Sequence, residues 1–177
     1  MRHRRLLATL AAGALVLVFA APAAAQGPER FPNEPVVLGE EDFAGTCGFP
    51  VVLEDTFAAG QTQIFPVDRD GNQRLQTGGG YRSTLTNMTT GATIEITYFG
   101  HLEYTYRPDG LLELRTSGQV LHWYTAEDAA FAGLGAAGIY LVTGHSVMLA
   151  DAATNVLVEP ATHRGRVTDI CALLGPA

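Results

Sequence analysis

Four histidines in the body of the chain carry the side chains best suited to acid–base or metal chemistry. They are His101, His122, His145 and His163. None has the spacing of a metal-binding motif such as H-x-H or H-E-x-x-H. His101 and His122 fall beside Glu103 and Glu113 on the polar side of alternating segments, so we expect both at the surface. The sequence therefore predicts no metal site.

Ser146 follows His145 directly, and Asp151 lies nearby, which together supply the residue types of a catalytic triad. Adjacent residues on a strand point to opposite faces, so His145 and Ser146 cannot form the required hydrogen bond by adjacency alone. The chain also has no G-x-S-x-G motif, which presents the serine of α/β-hydrolases. We therefore predict no catalytic residues and no cofactor.

Five aromatic residues fall on one face of the predicted strands and are candidates for lining a cavity. They are Tyr81, Tyr98, Tyr104, Tyr106 and Trp123. Filling the core is the simplest role for them. However, four buried phenol hydroxyls and one indole N–H would need hydrogen-bond partners. Because a barrel of about eight strands can hold one small ligand, a polar-lined cavity is the alternative.

The segment from Tyr81 to Tyr124 must position these aromatic residues. Apolar and polar residues alternate over residues 93–98, 101–106 and 112–115. A period of two with one polar face is typical of half-buried antiparallel strands. The sequence predicts a run of short strands joined by tight turns.

Three turns set the predicted register of these strands. They fall at Met88–Gly91, Pro108–Gly110 and Ser117–Gly118, where glycine, proline and polar residues favour turns. The apolar pairs that result are Leu85–Ile94, Tyr81–Tyr98, Tyr106–Leu112, Tyr104–Leu114, Leu114–Leu121 and Leu112–Trp123. Glu103 then faces Arg115 and Glu113 faces His122 on the outer side. We expect Trp123 and Leu112 to pack together in the interior.

Further turns are predicted at residues 58–61 and 68–72, with a hinge at 78–80. A long strand, Ile139–Ala150, is expected to bend near Gly144. With nine to ten sequential strands, the sequence predicts an all-β fold. A single antiparallel up-and-down β-barrel would remove the sheet edges, and a two-sheet β-sandwich is the alternative.

The longest interruption, residues 126–138, is rich in alanine and glycine. It is a candidate lid over one end of the β-structure, with Phe131 and Leu134 as its apolar plugs. An ordered surface loop is the alternative.

The N-terminus has the pattern of a secretory signal peptide over residues 1–25. Three arginines precede an apolar run, which ends in Ala23-Ala24-Ala25. A flexible arm rich in proline and acids is expected over residues 26–46, and residues 47–177 are expected to form the β-barrel-like domain. We therefore expect a secreted, extracellular protein with no membrane association after cleavage.

The charge of the chain argues against nucleic acid as a partner. The formal net charge is −7 at pH 7, and no arginine cluster follows the leader. Cys47 and Cys171 are the two cysteines of the sequence. Since secretion exposes the chain to an oxidising environment, they predict one disulfide.

Short motifs around both cysteines resemble those of a group of small secreted proteins of high-GC Gram-positive bacteria, most of them uncharacterised. The motifs are CGFPV at residues 47–51, TLTN with TG at 84–91, and GRVTDICALL at 165–174. The resemblance implies a signal peptide, a terminal disulfide and a β-barrel-like domain. It implies no activity and no catalytic residues.

Two functions of different classes are consistent with these patterns. One is a secreted non-enzymatic domain that binds a small apolar molecule or a protein partner. The other is a barrel enzyme of isomerase or cyclase type, which would act on a small apolar substrate. A cavity lined by an ionisable pair would favour the enzyme, and a filled interior would exclude both an enzyme and a cavity binder.

Overall fold

The computed structural model describes residues 27–175, so the predicted signal peptide lies outside the described residues. The strands are β1 Glu29–Pro32, β2 Val37–Leu38, β3 Val51–Ile64, β4 Gln73–Asn87, β5 Thr93–Tyr106, β6 Leu111–Tyr124, β7 Gly138–Asp151 and β8 Thr162–Asp169. The two helices are α1 Ala126–Ala132 and α2 Ile170–Leu174. Neither helix has the length and apolar character needed to cross a bilayer.

All eight strands belong to one antiparallel sheet, with the order β1-β3-β4-β5-β6-β7-β8 and with β2 paired to β3. From β3 to β8, each strand pairs with the next along the chain, as in a meander. The all-β class is therefore confirmed. Within residues 27–175 no pairing joins β8 to β1 or β3, so the sheet is not closed into the predicted barrel.

Two of the three predicted turns set the register as expected. The Pro108–Gly110 turn pairs Tyr104 with Leu114 and Glu103 with Arg115. The Met88–Gly91 turn pairs Tyr81 with Tyr98. In both cases the loop residues favour a tight turn, and the resulting register places apolar residues opposite one another. The local sequence was therefore sufficient to predict the strand pairing.

The third predicted turn, Ser117–Gly118, is wrong. β6 runs without interruption from Leu111 to Tyr124. Leu112 pairs with Ala150 of β7 and Trp123 with Ile139, so neither the Leu112–Trp123 pair nor the Leu114–Leu121 pair forms. Gly118 has a φ of 88°, but it uses this conformation within a strand instead of in a loop.

The turn predicted at residues 58–61 and the hinge predicted at residues 78–80 are also wrong. β3 and β4 continue through these glycines as strands of 14 and 15 residues. The turn at 68–72 is present, and β7 does contain Gly144 near its centre with a φ of 141°. Glycines that look like turn residues one at a time are here parts of long strands.

One glycine from each of six strands lies on a line across the sheet, which we call the glycine row. The row is Gly60, Gly79, Gly100, Gly118, Gly144 and Gly165, each paired with the next. A Cβ on Gly144 would overlap the carbonyl oxygen of Arg164, and one on Gly165 would overlap that of Thr143. The missing side chains let neighbouring backbones approach closely, which permits a sharp bend.

Contacts across the glycine row show how strongly β6, β7 and β8 bend. The Tyr124 hydroxyl lies 3.1 Å from Met148 Sδ. In the ladder, however, Tyr124 pairs with Gly138 and Met148 with Leu114, ten residues further along each strand. A flat antiparallel sheet would separate these positions by about 34 Å. The two halves of these strands therefore fold onto each other.

A first core lies where the sheet separates on one side of the glycine row. β5 pairs with β6 only over residues 100–106 and 112–118, so residues 93–99 and 119–124 diverge. Side chains from both parts fill the space between them, together with α2. The buried members are Phe43, Val51, Leu53, Leu85, Ile96, Leu121, Ile139, Ile170 and Leu174.

A second core lies inside the fold of β6 and β7. Its buried members are Tyr124, Ala132, Tyr140, Val142, Met148, Ala150 and Leu157. α1 covers it, beginning at the N-cap Thr125 and ending at Gly133 in the left-handed conformation. Of the two residues predicted as plugs, Leu134 packs against this core, whereas Phe131 is exposed.

The predicted disulfide is present between Cys47 and Cys171, with a Cα–Cα distance of 5.2 Å. It joins the segment before β3 to α2. Within the predicted N-terminal arm, β1 and β2 pair with opposite ends of β3 and cover its outer edge.

Candidate functional site

An open groove of about 510 Å³ lies between the β1–β2 segment and the sheet, and we call it the Tyr81 groove. Its lining residues are Phe31, Pro32, Asn33, Glu34, Val36, Thr62 and Tyr81. Phe31 and Val36 expose nearly half of their surface, which is unusual for apolar residues that serve only the core. The lining is therefore mostly apolar. Besides Tyr81, its polar groups are the Glu34 carboxylate, the Asn33 amide and the Thr62 hydroxyl.

Asn33 holds the outer wall of this groove against the glycine row. Its backbone N–H donates to the Gly60 carbonyl at 3.1 Å, and its Nδ2 donates to the Gly78 carbonyl at 3.3 Å. Thr62 Oγ1 donates to Asn33 Oδ1 at 3.1 Å. Because Gly79 has no side chain, the amide of Asn33 can approach the sheet. The row thus positions the groove as well as bending the sheet.

The floor of the groove leads from Tyr81 into a buried polar network. The Tyr81 and Tyr98 rings stack with centroids 5.3 Å apart. The Tyr98 hydroxyl lies 3.4 Å from Ser83 Oγ, which donates to Asp55 Oδ1 at 2.5 Å. The other Asp55 oxygen accepts from the Val36 backbone N–H at 3.3 Å. A buried carboxylate is thereby tied to both the floor and the wall.

The environment of the tyrosines keeps them protonated. Burial raises the pKa of Tyr98 to about 12; the Ser83 hydrogen bond opposes this effect, and the negative charge of Asp55, together with that of Tyr81 once it ionises, adds to it. Burial also raises the pKa of Tyr104 to about 12, with smaller contributions from Tyr106 and Tyr81. The pKa of Tyr81 is raised by burial and by Asp55. At neutral pH these phenols are hydrogen-bond donors and not bases.

The structure brings together only part of the predicted aromatic set. Tyr81 and Tyr98 form the stack, and Tyr104 pairs with Leu75 and Leu114 on the neighbouring strands. Tyr106 is half-buried and pairs with Leu112. Trp123 is 43% exposed and contacts Phe43 edge-on at 5.4 Å, so its predicted interior position is wrong. Since β6 does not turn at Ser117–Gly118, Trp123 lies at the far end of the strand.

A second group of side chains, which the sequence did not predict, lies inside the fold of β6, β7 and β8, where His122 is buried and His163 is half-buried. The His122 and His163 rings lie 6.1 Å apart, and the Tyr124 ring lies 6.2 Å from His122 and 6.3 Å from His163. We call His122, Tyr124, Met148 and His163 the histidine cluster. The predicted surface position of His122 is wrong, because it is only 7% exposed.

Ser146 belongs to the edge of this cluster. Its Oγ lies 2.8 Å from His163 Nδ1, a partner that was not predicted from the sequence. Ser146 and His163 face each other across β7 and β8. Aligning Gly144 with Gly165 gives this register, and that is the sequence signal which could have revealed the pair. Ser146 is only 1% exposed, so a substrate cannot reach its hydroxyl.

Both imidazoles of the cluster are neutral at pH 7. Burial lowers the pKa of His122 to about 4, and the proximity of His163 adds to the effect. Burial also lowers the pKa of His163, and the nearby Ala132 backbone acts in the opposite direction, although no hydrogen bond of normal geometry joins it to His163 Nε2. Within residues 27–175 neither His122 Nε2 nor His163 Nε2 has a hydrogen-bond partner, although both atoms are buried.

A second cavity, of about 490 Å³, opens between the C-terminal end of α1 and β8. Its lining residues are Ala132, Gly133, Leu134, Ala161, Thr162, His163, Arg164 and Val167. His163 therefore links the buried cluster to an opening at the surface.

Comparison of the chain with protein-family models, with curated proteins and with solved structures gave no match. The chemistry of the Tyr81 groove and of the histidine cluster therefore carries the functional argument. The two sites lie on different parts of the sheet.

Proposed function

We propose that the chain is a secreted, non-enzymatic β-domain that binds a small apolar molecule with an aromatic ring in the Tyr81 groove. The observation that carries this proposal is Tyr81, which stacks on Tyr98 and lines a mostly apolar groove of about 510 Å³. This volume falls within the range of about 300–1,000 Å³ that is usual for small-molecule sites. Phe31, Pro32 and Val36 supply an opposing apolar wall.

The polar groups around the groove would select the ligand. A flat ring can stack on the exposed face of Tyr81, since aromatic pairs favour offset stacking. The protonated phenol of Tyr81 can donate a hydrogen bond to a carbonyl or ether oxygen. Glu34, at the other side, can accept one from a hydroxyl. The expected ligand class is therefore an aromatic molecule with a few oxygen substituents.

The proposal also includes secretion of the protein and a sandwich-like arrangement of part of the sheet. The Cys47–Cys171 disulfide fits an oxidising compartment, as does the resemblance to small secreted proteins of high-GC Gram-positive bacteria. The first core packs between two diverging parts of the sheet, which supports a sandwich-like arrangement at that end. A closed barrel is not needed to form the groove.

The second candidate function is an isomerase or cyclase acting on a similar apolar molecule. The Asp55–Ser83–Tyr98 chain of polar groups favours it, because a tyrosine hydroxyl held by hydrogen bonds can stabilise a developing oxyanion. Against it, Ser83 and Asp55 are buried, and the raised pKa of Tyr98 makes proton transfer at neutral pH unfavourable. Binding without turnover is therefore the better supported function.

The test is the affinity of the secreted protein for the neutral fluorescent probe N-phenyl-1-naphthylamine. Tyr81→Ala removes the stacking face and is expected to weaken binding by about tenfold, or roughly 1.4 kcal/mol. Tyr81→Phe keeps the ring and should retain most of the affinity. Phe131→Ala, at an exposed aromatic residue of α1, is the matched control and should bind like the parent.

Equal affinity of the Tyr81→Ala and Phe131→Ala proteins would contradict the proposal. Mass spectrometry of the purified protein for a co-purified aromatic compound gives the natural ligand. If that compound is converted to an isomer on incubation with the parent but not with Tyr98→Phe, the enzymatic alternative replaces the binding function.

A further inference from the structure

The histidine cluster contains two buried imidazole nitrogens that can bind a metal ion. His122 Nε2 and His163 Nε2 are both buried without a hydrogen-bond partner among residues 27–175. Leaving a buried polar atom unpaired costs about 1–3 kcal/mol, so two such atoms in one cluster require an explanation. In a flat sheet their strand positions would be far apart, and the fold at the glycine row brings them together.

The spacing of the two rings suits a single shared ion. Their centroids are 6.1 Å apart, with an angle of 57° between the ring planes. Two imidazoles bound to one metal ion through nitrogens at about 2.0–2.1 Å have centroids roughly 5–6 Å apart, depending on the angle at the metal. The rings are thus near the distance that bridging by one ion requires.

A thioether lies beside the two imidazoles, on the other side of Tyr124. Met148 Sδ accepts a hydrogen bond from the Tyr124 hydroxyl at 3.1 Å, and the Tyr124 ring contacts both imidazoles. Met148 is 5% exposed and belongs to the second core. We propose that His122, His163 and Met148 form a binding site for one Cu(I) ion.

The types of donor select copper over other metals. Imidazole and thioether are uncharged, soft or borderline ligands, and thioether sulfur favours Cu(I). Ca²⁺ and Mg²⁺ need several oxygen ligands, and structural Zn²⁺ usually needs four donors. No group of three or more His, Cys, Asp or Glu residues gathers for a metal anywhere in residues 27–175. The nearest carboxylate to Tyr124 on α1, Asp128, is engaged by Thr125 Oγ1 at 3.1 Å.

The surroundings have two further properties of a metal site. Ser146 Oγ, at 2.8 Å from His163 Nδ1, fixes the orientation of the ring and leaves Nε2 free, as second-layer partners of metal ligands do. The cavity of about 490 Å³ beside α1 gives an ion a path from the surface to His163. The apolar side chains of the second core would exclude water and oxidants from the bound ion.

The test is anaerobic titration of the untagged, disulfide-bonded protein with Cu(I), in competition with the coloured Cu(I)–bicinchoninate complex and with ascorbate as reductant. Both cysteines of the chain are in the disulfide, so no thiol competes for copper. We expect one Cu(I) per chain. His122→Gln and His163→Gln should each weaken binding by more than about 100-fold, and Ser146→Ala by about 10–100-fold.

Matched controls separate the site from unspecific binding. His145→Gln changes an exposed histidine on the other face of β7, and Met88→Leu changes an exposed methionine; both proteins should bind like the parent. Met148→Leu keeps the volume of the core but removes sulfur, so it should weaken Cu(I) binding by about tenfold or more and leave the far-ultraviolet circular dichroism unchanged.

Three results would overturn the proposal. They are the absence of Cu(I) binding, equal affinities of the His122→Gln and His145→Gln proteins, and Zn(II) binding as tight as that of Cu(I). Equal affinities of the Met148→Leu and Met88→Leu proteins would remove the thioether from the site. Folding of each variant is checked by its urea unfolding midpoint, and Tyr81 groove binding of the probe serves as an independent measure of native structure.

Discussion

Tyr98 and Tyr104 retain their protons at a pH where an exposed tyrosine loses its own. Burial raises the pKa of each to about 12 from an ordinary value of 10.0. The unfolded chain therefore releases these protons between about pH 10 and 12, while the folded chain keeps them. By linkage, their contribution to stability is complete below pH 10 and is lost as the pH rises towards 12.

We therefore expect the free energy of unfolding to fall steeply as the pH rises between about 10 and 12, because the unfolded chain releases protons that the folded chain retains. The ultraviolet absorbance of tyrosinate should show at least two tyrosines that ionise only with this loss of structure. Tyr98→Phe should remove one late step. A smooth titration of every tyrosine near pH 10 in protein that stays folded would contradict the burial of this pair.

The sequence correctly predicted a residue contact that depends on a single turn. The Met88–Gly91 turn pairs Tyr81 with Tyr98, and the alternating pattern puts both on the inner face. It failed for His122 and His163, whose contact depends on a bend between distant parts of three strands. His122 was expected at the surface because the predicted Ser117–Gly118 turn places it opposite Glu113, but that turn is absent and His122 pairs with Tyr140.

The glycine row determines the geometry of the strands. A Cβ at Gly79 would overlap the Ala59 carbonyl oxygen and lie 3.0 Å from Asn33 Nδ2. At the adjacent Gly78, a Cβ would meet only the end of the His101 side chain, at 3.3 Å. A methyl group would therefore clash with backbone at Gly79 but would meet only a side chain at Gly78.

We expect Gly79→Ala to lower the free energy of unfolding by about 1–3 kcal/mol or more, because backbone must move to admit the methyl group. Gly78→Ala should change it by less than about 1 kcal/mol, since a flexible side chain can give way. Urea unfolding of the two proteins measures the difference. Similar losses in both would mean that close backbone approach is not what the row requires.

The glycine row also explains why the lengths of several strands were predicted wrongly from the sequence. Gly60, Gly79 and Gly118 each stand in a segment that resembles a turn, and each was assigned to a turn or hinge. Their common role appears only once the strands are paired. Alternation and turn residues were thus enough for the order of the strands, but not for their lengths or for the bend.

The disulfide acts on the whole molecule. Cys47 and Cys171 are 124 residues apart in sequence and close the chain from the start of β3 to α2. α2 contributes Ile170 and Leu174 to the first core, so the bond holds this helix against the sheet. A cross-link over so long a loop removes much of the freedom of the unfolded chain.

We expect the Cys47→Ala/Cys171→Ala protein to lose about 2–5 kcal/mol of unfolding free energy, measured in guanidinium chloride. A reducing agent should lower the stability of the parent towards that of the variant and leave the variant unchanged. If the parent unfolds at the same denaturant concentration with and without reductant, the bond does not stabilise the fold.

The glycine row also restricts how the length of this chain can change. Gly60, Gly79, Gly100, Gly118, Gly144 and Gly165 stay in line only while each strand keeps the same number of residues between its turn and its glycine. One residue inserted within β5 would move Gly100 away from both of its partners and put a side chain where two backbones meet. Such an insertion would have to be absorbed by a bulge or matched in every other strand. Insertions and deletions should therefore accumulate in the turns, at residues 68–72, 107–110 and 152–161, while the spans between a turn and the row keep a fixed length.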